Sequence, residues 1–156
     1  MPTRTIRTIL LAEDNENDIE LTLSTLESFN LANDIKVVRD GAEALDYLLC
    51  KGEYGNRPCD PPAVILLDIK MPKVDGLQVL EVIKSTPELK AIPVVMLTSS
   101  RQERDVVKSY AMGVNAYVVK PVDFDQFTEA IRQLGIFWAL INETPGVAGT
   151  ESEEEE

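Results

Sequence analysis

Ala63-Val64-Ile65-Leu66-Leu67-Asp68 is an unbroken apolar run that ends on a carboxylate. Such a run has no polar side to offer solvent, which suits a strand buried on both faces of a parallel sheet. Three further runs share the pattern. Thr8-Ile9-Leu10-Leu11-Ala12 stops at Glu13-Asp14, Ile92-Pro93-Val94-Val95-Met96-Leu97 stops at Thr98-Ser99, and Ala116-Tyr117-Val118-Val119 stops at Lys120-Pro121. Ile35-Lys36-Val37-Val38 reads as a shorter, more exposed strand. Open parallel sheets carry their sites just beyond the carboxyl ends of the strands. Three carboxylates, a hydroxyl and an ammonium are therefore expected in one crevice.

Between the strands the apolar spacing becomes helical. Asn15-Glu16-Asn17-Asp18 is rich in capping residues and leads into a helix with Ile19, Leu23 and Leu26 on one face. Ala42, Leu45, Leu48 and Leu49 mark a second helix. Asp75-Gly76 opens a third, carrying Leu77, Leu80 and Ile83, with Thr86-Pro87 at or just past its end. Residues 102–112 form a fourth, stopped by Gly113. Asp123 caps the last, whose apolar face runs Phe124, Phe127, Ile131, Leu134, Trp138, Ile141. The stretch 51–62, with Gly52, Gly55, Pro58, Pro61 and Pro62, reads as a surface insertion. This alternation predicts a doubly wound (βα)₅ sandwich in a single domain, residues 1–141. Residues 142–156 are expected to be an acidic, disordered tail.

Composition narrows the function. The 156-residue chain has a formal net charge of −12; Glu151 and Glu153 to Glu156 supply five of these charges, leaving −7 elsewhere. Either figure argues against nonspecific nucleic-acid binding, which needs Lys and Arg to neutralise phosphates. No apolar run approaches the roughly 20 residues that span a bilayer, and no secretory signal opens the chain. A cytoplasmic location is expected. Cys50 and Cys59 lack the spacing of a tight metal clip, and a cytosolic setting disfavours a disulfide, so both read as incidental. The chain contains no histidine, which excludes Ser-His-Asp hydrolysis, His-bound zinc and an internal phosphohistidine.

Glu13, Asp14 and Asp68 together would repel one another unless a cation intervened. Magnesium suits them: it is a hard ion that takes oxygen ligands, keeps waters and bridges to phosphate. With Lys120 added, three acids, one ammonium and one divalent ion balance to formal neutrality. A carboxylate beside such an ion can act as a nucleophile toward a phosphoryl donor. The transfer then needs in-line positioning and charge stabilisation on the equatorial oxygens, for which Lys120 and Thr98 are the right types.

Leu11-Ala12-Glu13-Asp14-Asn15, Leu67-Asp68-Ile69-Lys70-Met71-Pro72 with Asp75-Gly76, Leu97-Thr98-Ser99 and Tyr117-Val118-Val119-Lys120-Pro121 together resemble the receiver domain of two-component response regulators. The resemblance covers about residues 6 to 140. The insertion around Tyr54-Gly55 and the ending Gly135-Ile136-Phe137-Trp138 resemble the cyanobacterial phytochrome response regulators. The resemblance implies a flavodoxin-like, CheY-like sheet of strand order 2-1-3-4-5. It implies that Asp68 accepts phosphate from the phosphohistidine of a sensor histidine kinase, of phytochrome type. It further implies magnesium held by Asp14, Asp68 and the Lys70 main-chain carbonyl, with Glu13 acting through water. Lys120 and Thr98 would contact the phosphoryl oxygens, the Lys120-Pro121 bond would be cis, and Tyr117 would be the switch aromatic that follows Thr98.

Phe137-Trp138-Ala139-Leu140 reads either as packing on its own sheet or as part of a subunit interface. The family resemblance favours a homodimer through the last two helices and the strand between them. Two other classes stay open on the residues alone. An aspartate-nucleophile phosphatase would need an acid two positions after Asp68, where Lys70 stands. A phosphate-independent adaptor would keep only the fold. The downstream partner is not named by any motif.

Overall fold

The computed structural model describes residues 8–28, 34–56, 59–99, 114 and 116–135. The strands are β1 (Ile9–Ala12), β2 (Ile35–Val38), β3 (Val64–Asp68), β4 (Val94–Thr98) and β5 (Ala116–Val119). The helices are α1 (Glu16–Glu27), α2 (Gly41–Leu49), α3 (Gly76–Ser85) and α4 (Phe124–Leu134), with a short 3₁₀ turn at Gly52–Tyr54. All five strands are parallel in the order β2-β1-β3-β4-β5, as expected. The anticipated helix at 102–112 and the acidic tail lie outside the described residues.

Strand alternation divides the core in two. Leu10, Ala12, Ile65, Leu67, Val94 and Met96 face α2 and α3. Ile9, Leu11, Val64, Leu66, Val95 and Leu97 face α1 and α4. A residue of either parity is therefore buried, which is why β1, β3 and β4 show no polar alternation. The helices start at side-chain caps. Asn15, Asp40, Asp75 and Asp123 each accept a backbone N–H from three residues on. At α3 the cap is reciprocal, since the Gln78 side chain accepts from the Asp75 amide.

Three expectations are corrected. The regular face of the last helix ends at Leu134, where Gly135 takes the left-handed conformation, φ 69°; Trp138 and Ile141 lie outside the described residues. Phe124, assigned to the apolar face, is 51% exposed. Cys50 and Cys59 are not incidental. Cys50 caps α2 in the left-handed conformation, φ 58°, so the chain reverses there and the loop brings Cys59 back. Their Cα atoms lie 5.9 Å apart and the sulfurs are bonded. Linear spacing could not register that reversal.

Gly76 secures the join between β3 and α3. Its amide donates to the Ile69 carbonyl at 2.7 Å, and a Cβ there would sit 2.0 Å from the Asp68 carbonyl oxygen. Backbone cannot yield to that contact. Gly76→Ala is expected to lose about 2–4 kcal/mol in urea unfolding, with an unchanged m-value. Wild-type stability in that variant would contradict this packing.

Candidate functional site

The carboxyl ends of β1, β3, β4 and β5 deliver the candidate residues to one edge of the sheet. Asp68 pairs in register with Leu97, and Thr98 with Val119. The Lys120 amide donates to the Thr98 carbonyl at 2.7 Å, and the Ile69 amide to the Leu97 carbonyl at 3.0 Å. These backbone bonds set where each side chain emerges. The Lys120-Pro121 peptide is cis, as anticipated.

Lys120 is the hub. Its Nζ donates to Glu13 Oε1 at 2.9 Å and to Asp18 Oδ2 at 2.9 Å, and lies 3.3 Å from Asp68 Oδ1. Its side chain is only 8% exposed. Burial alone would lower the pKa of this ammonium. The hydrogen bonds to Glu13 and Asp18 and the Asp68 charge outweigh that and raise it, so the lysine is held charged. Glu13 is fully buried; its second oxygen accepts from the Asn15 amide at 3.1 Å. Asp68 is 4% exposed, and burial is the main cause lifting its pKa from 3.8 to about 7. The Glu13 charge adds to that rise, and Lys120 opposes it.

Glu13, Asp14 and Asp68 each offer an oxygen within 4.8 Å of the others, with Asp14 exposed on the open side. An all-carboxylate donor set open to water on one side fits a hard divalent cation. Magnesium is the cofactor these residues suit.

Two residues at this edge were not anticipated. Asp18 was read as part of a capping segment, yet one helical turn beyond Asp14 it reaches Lys120 across 102 residues of sequence. It also upsets the neutral charge balance. With Asp18 counted, four acids and one ammonium need more than one divalent ion for formal neutrality. Gln126 of α4 is the other. Its side-chain amide donates to the Val119 carbonyl at 3.0 Å and accepts from the Val119 amide at 3.2 Å, clamping the residue before Lys120. Neither has a local sequence signal, because each acts on a residue of another element. Of the remaining candidates, Thr98 is buried at its strand end, Lys70 is exposed, and Tyr117 is half-buried against the α2–α3 side of the core.

Sheet order, acidic cluster and paired lysine define a receiver, the phosphoacceptor class of two-component signalling. Residues 9–132 match the response regulator receiver domain family, and the chain belongs to it. The bacteriophytochrome response regulator AtBRR is 61% identical, with a TM-score of 0.82 over 90% of this chain and 100% of that one. The phosphorylated cyanobacterial phytochrome response regulator RcpA is 41% identical, with a TM-score of 0.72 over 86% and 94%. Rcp1 of Synechocystis is 39% identical over 132 residues, 85% of this chain and 88% of its own. The Mn(2+)-bound form of Rcp1 superposes with a TM-score of 0.71 over 90% of this chain and 99% of that one.

The environment of Asp68 has a pH signature. Its pKa is raised on folding, so between 3.8 and about 7 the folded state binds more protons than the unfolded state. Its contribution to stability therefore falls as pH rises through that window. In metal-free protein, the urea stability of wild type relative to Asp68→Asn is expected to decline from about pH 4 to about pH 7. Magnesium should restore wild type at neutral pH by binding only the folded state. A pH-independent difference would contradict the assigned environment.

Proposed function

We propose that the protein is a response regulator that accepts a phosphoryl group on Asp68 from a sensor histidine kinase of phytochrome type. The observation that carries this reading is Asp68 itself: buried at the end of β3, 3.3 Å from the Lys120 ammonium and grouped with Glu13 and Asp14. The absence of histidine in the chain means that the phosphohistidine belongs to the kinase. The phytochrome assignment draws on the names of AtBRR and RcpA.

An Asp68 oxygen attacks phosphorus as the bond to the donor nitrogen breaks, and the donor imidazole leaves with the electron pair. Asp14, Asp68 and the Lys70 carbonyl would hold the magnesium, with Glu13 acting through water. When bound, the ion neutralises charge on the transferring group. Lys120 is prepaid for this step: it already stands beside Asp68, with Glu13 and Asp18 fixing its direction. Thr98 follows the phosphoryl oxygens and Tyr117 follows Thr98, which remodels the surface around β5. Only slow self-dephosphorylation goes with this role, so the protein is a switch rather than a turnover enzyme.

The reading goes with a cytoplasmic location, where nucleotide-charged kinases act; among the described residues no helix is long and apolar enough to cross a membrane. Residues 1–141 would form the receiver and 142–156 its tail. Self-association through the helix expected at 102–112, which lies outside the described residues, together with β5 and α4 is part of the proposal, and the exposed Phe124 of α4 supports it.

Incubation with acetyl phosphate and magnesium should add a single phosphate, read by intact mass. The adduct should be absent without magnesium and in Asp68→Asn. Labelling of the Asp68→Asn variant to the wild-type extent would sink the assignment.

A further inference from the structure

The loop after α2 is closed by a bond and seated by an aromatic ring. Cys50 and Cys59 are joined with Cα atoms 5.9 Å apart, inside the range natural disulfides occupy. Cys59 is exposed and Cys50 half-buried. Within the closed loop, the turn Gly52–Tyr54 brings Tyr54 back onto α2. Its hydroxyl donates to Glu43 Oε2 at 2.7 Å, and its ring meets Tyr47 edge-on at 5.1 Å. The Lys36 ammonium, on the edge strand β2, lies 5.0 Å from the centre of the same ring. Glu43 also accepts the Arg39 amide at 2.9 Å, so loop, β2 end and α2 start share one carboxylate.

We propose that Cys50 and Cys59 form a reversible thiol–disulfide modification site that holds residues 51–56 seated on α2 when oxidised and releases them when reduced. The co-reactant is a low-molecular-weight disulfide. The exposed Cys59 thiolate attacks one of its sulfurs and expels a thiolate. Cys50 then attacks the mixed disulfide at Cys59 and expels the second. The protein loses two protons and two electrons, and one external disulfide becomes two thiols. Cytosolic thiols rest reduced, so in that compartment the bonded form is the response to an oxidising challenge. Without the bond, the segment keeps the Lys51 amide on the Asp46 carbonyl at 2.9 Å, the Tyr54–Glu43 hydrogen bond, the ring contact and the cation–π contact, and each is individually weak. The inference does not depend on phosphotransfer.

Wild type is equilibrated across ratios of reduced to oxidised glutathione and trapped with a maleimide. Intact mass should show only molecules with no adduct or with two. Deuterium exchange over residues 51–56 should be about tenfold slower in the bonded form than in the reduced form. Cys50→Ser/Cys59→Ser should exchange like reduced wild type even under oxidising conditions. Persistent glutathione adducts in place of the internal bond, or equal exchange in both redox states of wild type, would overturn the proposal.

Discussion

The Lys120 ammonium is the interaction on which the site depends. It is nearly buried and meets Glu13, Asp18 and Asp68, carboxylates from just past β1, from α1 and from β3. Without a cation at that point, the buried Glu13 and Asp68 would face each other in a poorly solvated edge. Even with it, desolvation dominates at Asp68 and keeps its carboxyl far easier to protonate than a surface aspartate. The edge therefore has a standing demand for positive charge. A divalent cation bound there would offset part of that demand and favour the ionised Asp68 that a nucleophile requires.

Holding Lys120 in that position takes the sheet and the α1/α4 layer together. The backbone of β5 carries it alongside Thr98, and the Gln126 amide of α4 grips Val119 just before it. On the same side of the sheet, the Thr25 hydroxyl of α1 donates to the Val122 carbonyl at 2.7 Å, tying α1 to the approach to α4. Asp18 emerges from that same helix. A shift of α1 against α4 would thus be felt at the lysine through a short chain of packed groups.

The opposite side of the sheet is organised differently. Gly41 and Gly76 let backbones approach where a Cβ would collide with the Val74 and Asp68 carbonyl oxygens, drawing α2 onto the loop after β3 and α3 onto the end of β3. Lys73, with φ 69°, lies in the loop between Asp68 and α3 and faces Asp40 at 3.5 Å. The α2 start is therefore in touch with the loop after Asp68, while the α2 end carries the closed loop of Cys50 and Cys59. Both layers converge on Asp68, but through unlike contacts: ion pairs on one side, close backbone packing on the other.

Much of this was legible in order along the chain. Doubly buried runs such as Val64–Asp68 cannot be amphipathic, so their composition alone marks them as inner strands. The polar residue ending each run marks the functional edge, because a parallel sheet puts those ends together. Capping by Asp75 and Asp123 was equally local and equally readable. What the sequence could not show were contacts between elements: Asp18 on Lys120, Gln126 on Val119, and Cys59 returned to Cys50 by a left-handed turn. Periodicity also ran the last helix past Gly135, whose backbone conformation ends it. Sequence by itself determined which residue types line the edge, since burial and strand order follow from short-range pattern. Only the tertiary structure decided how their charges combine, because that depends on distances of a few ångströms between residues as far as 107 positions apart.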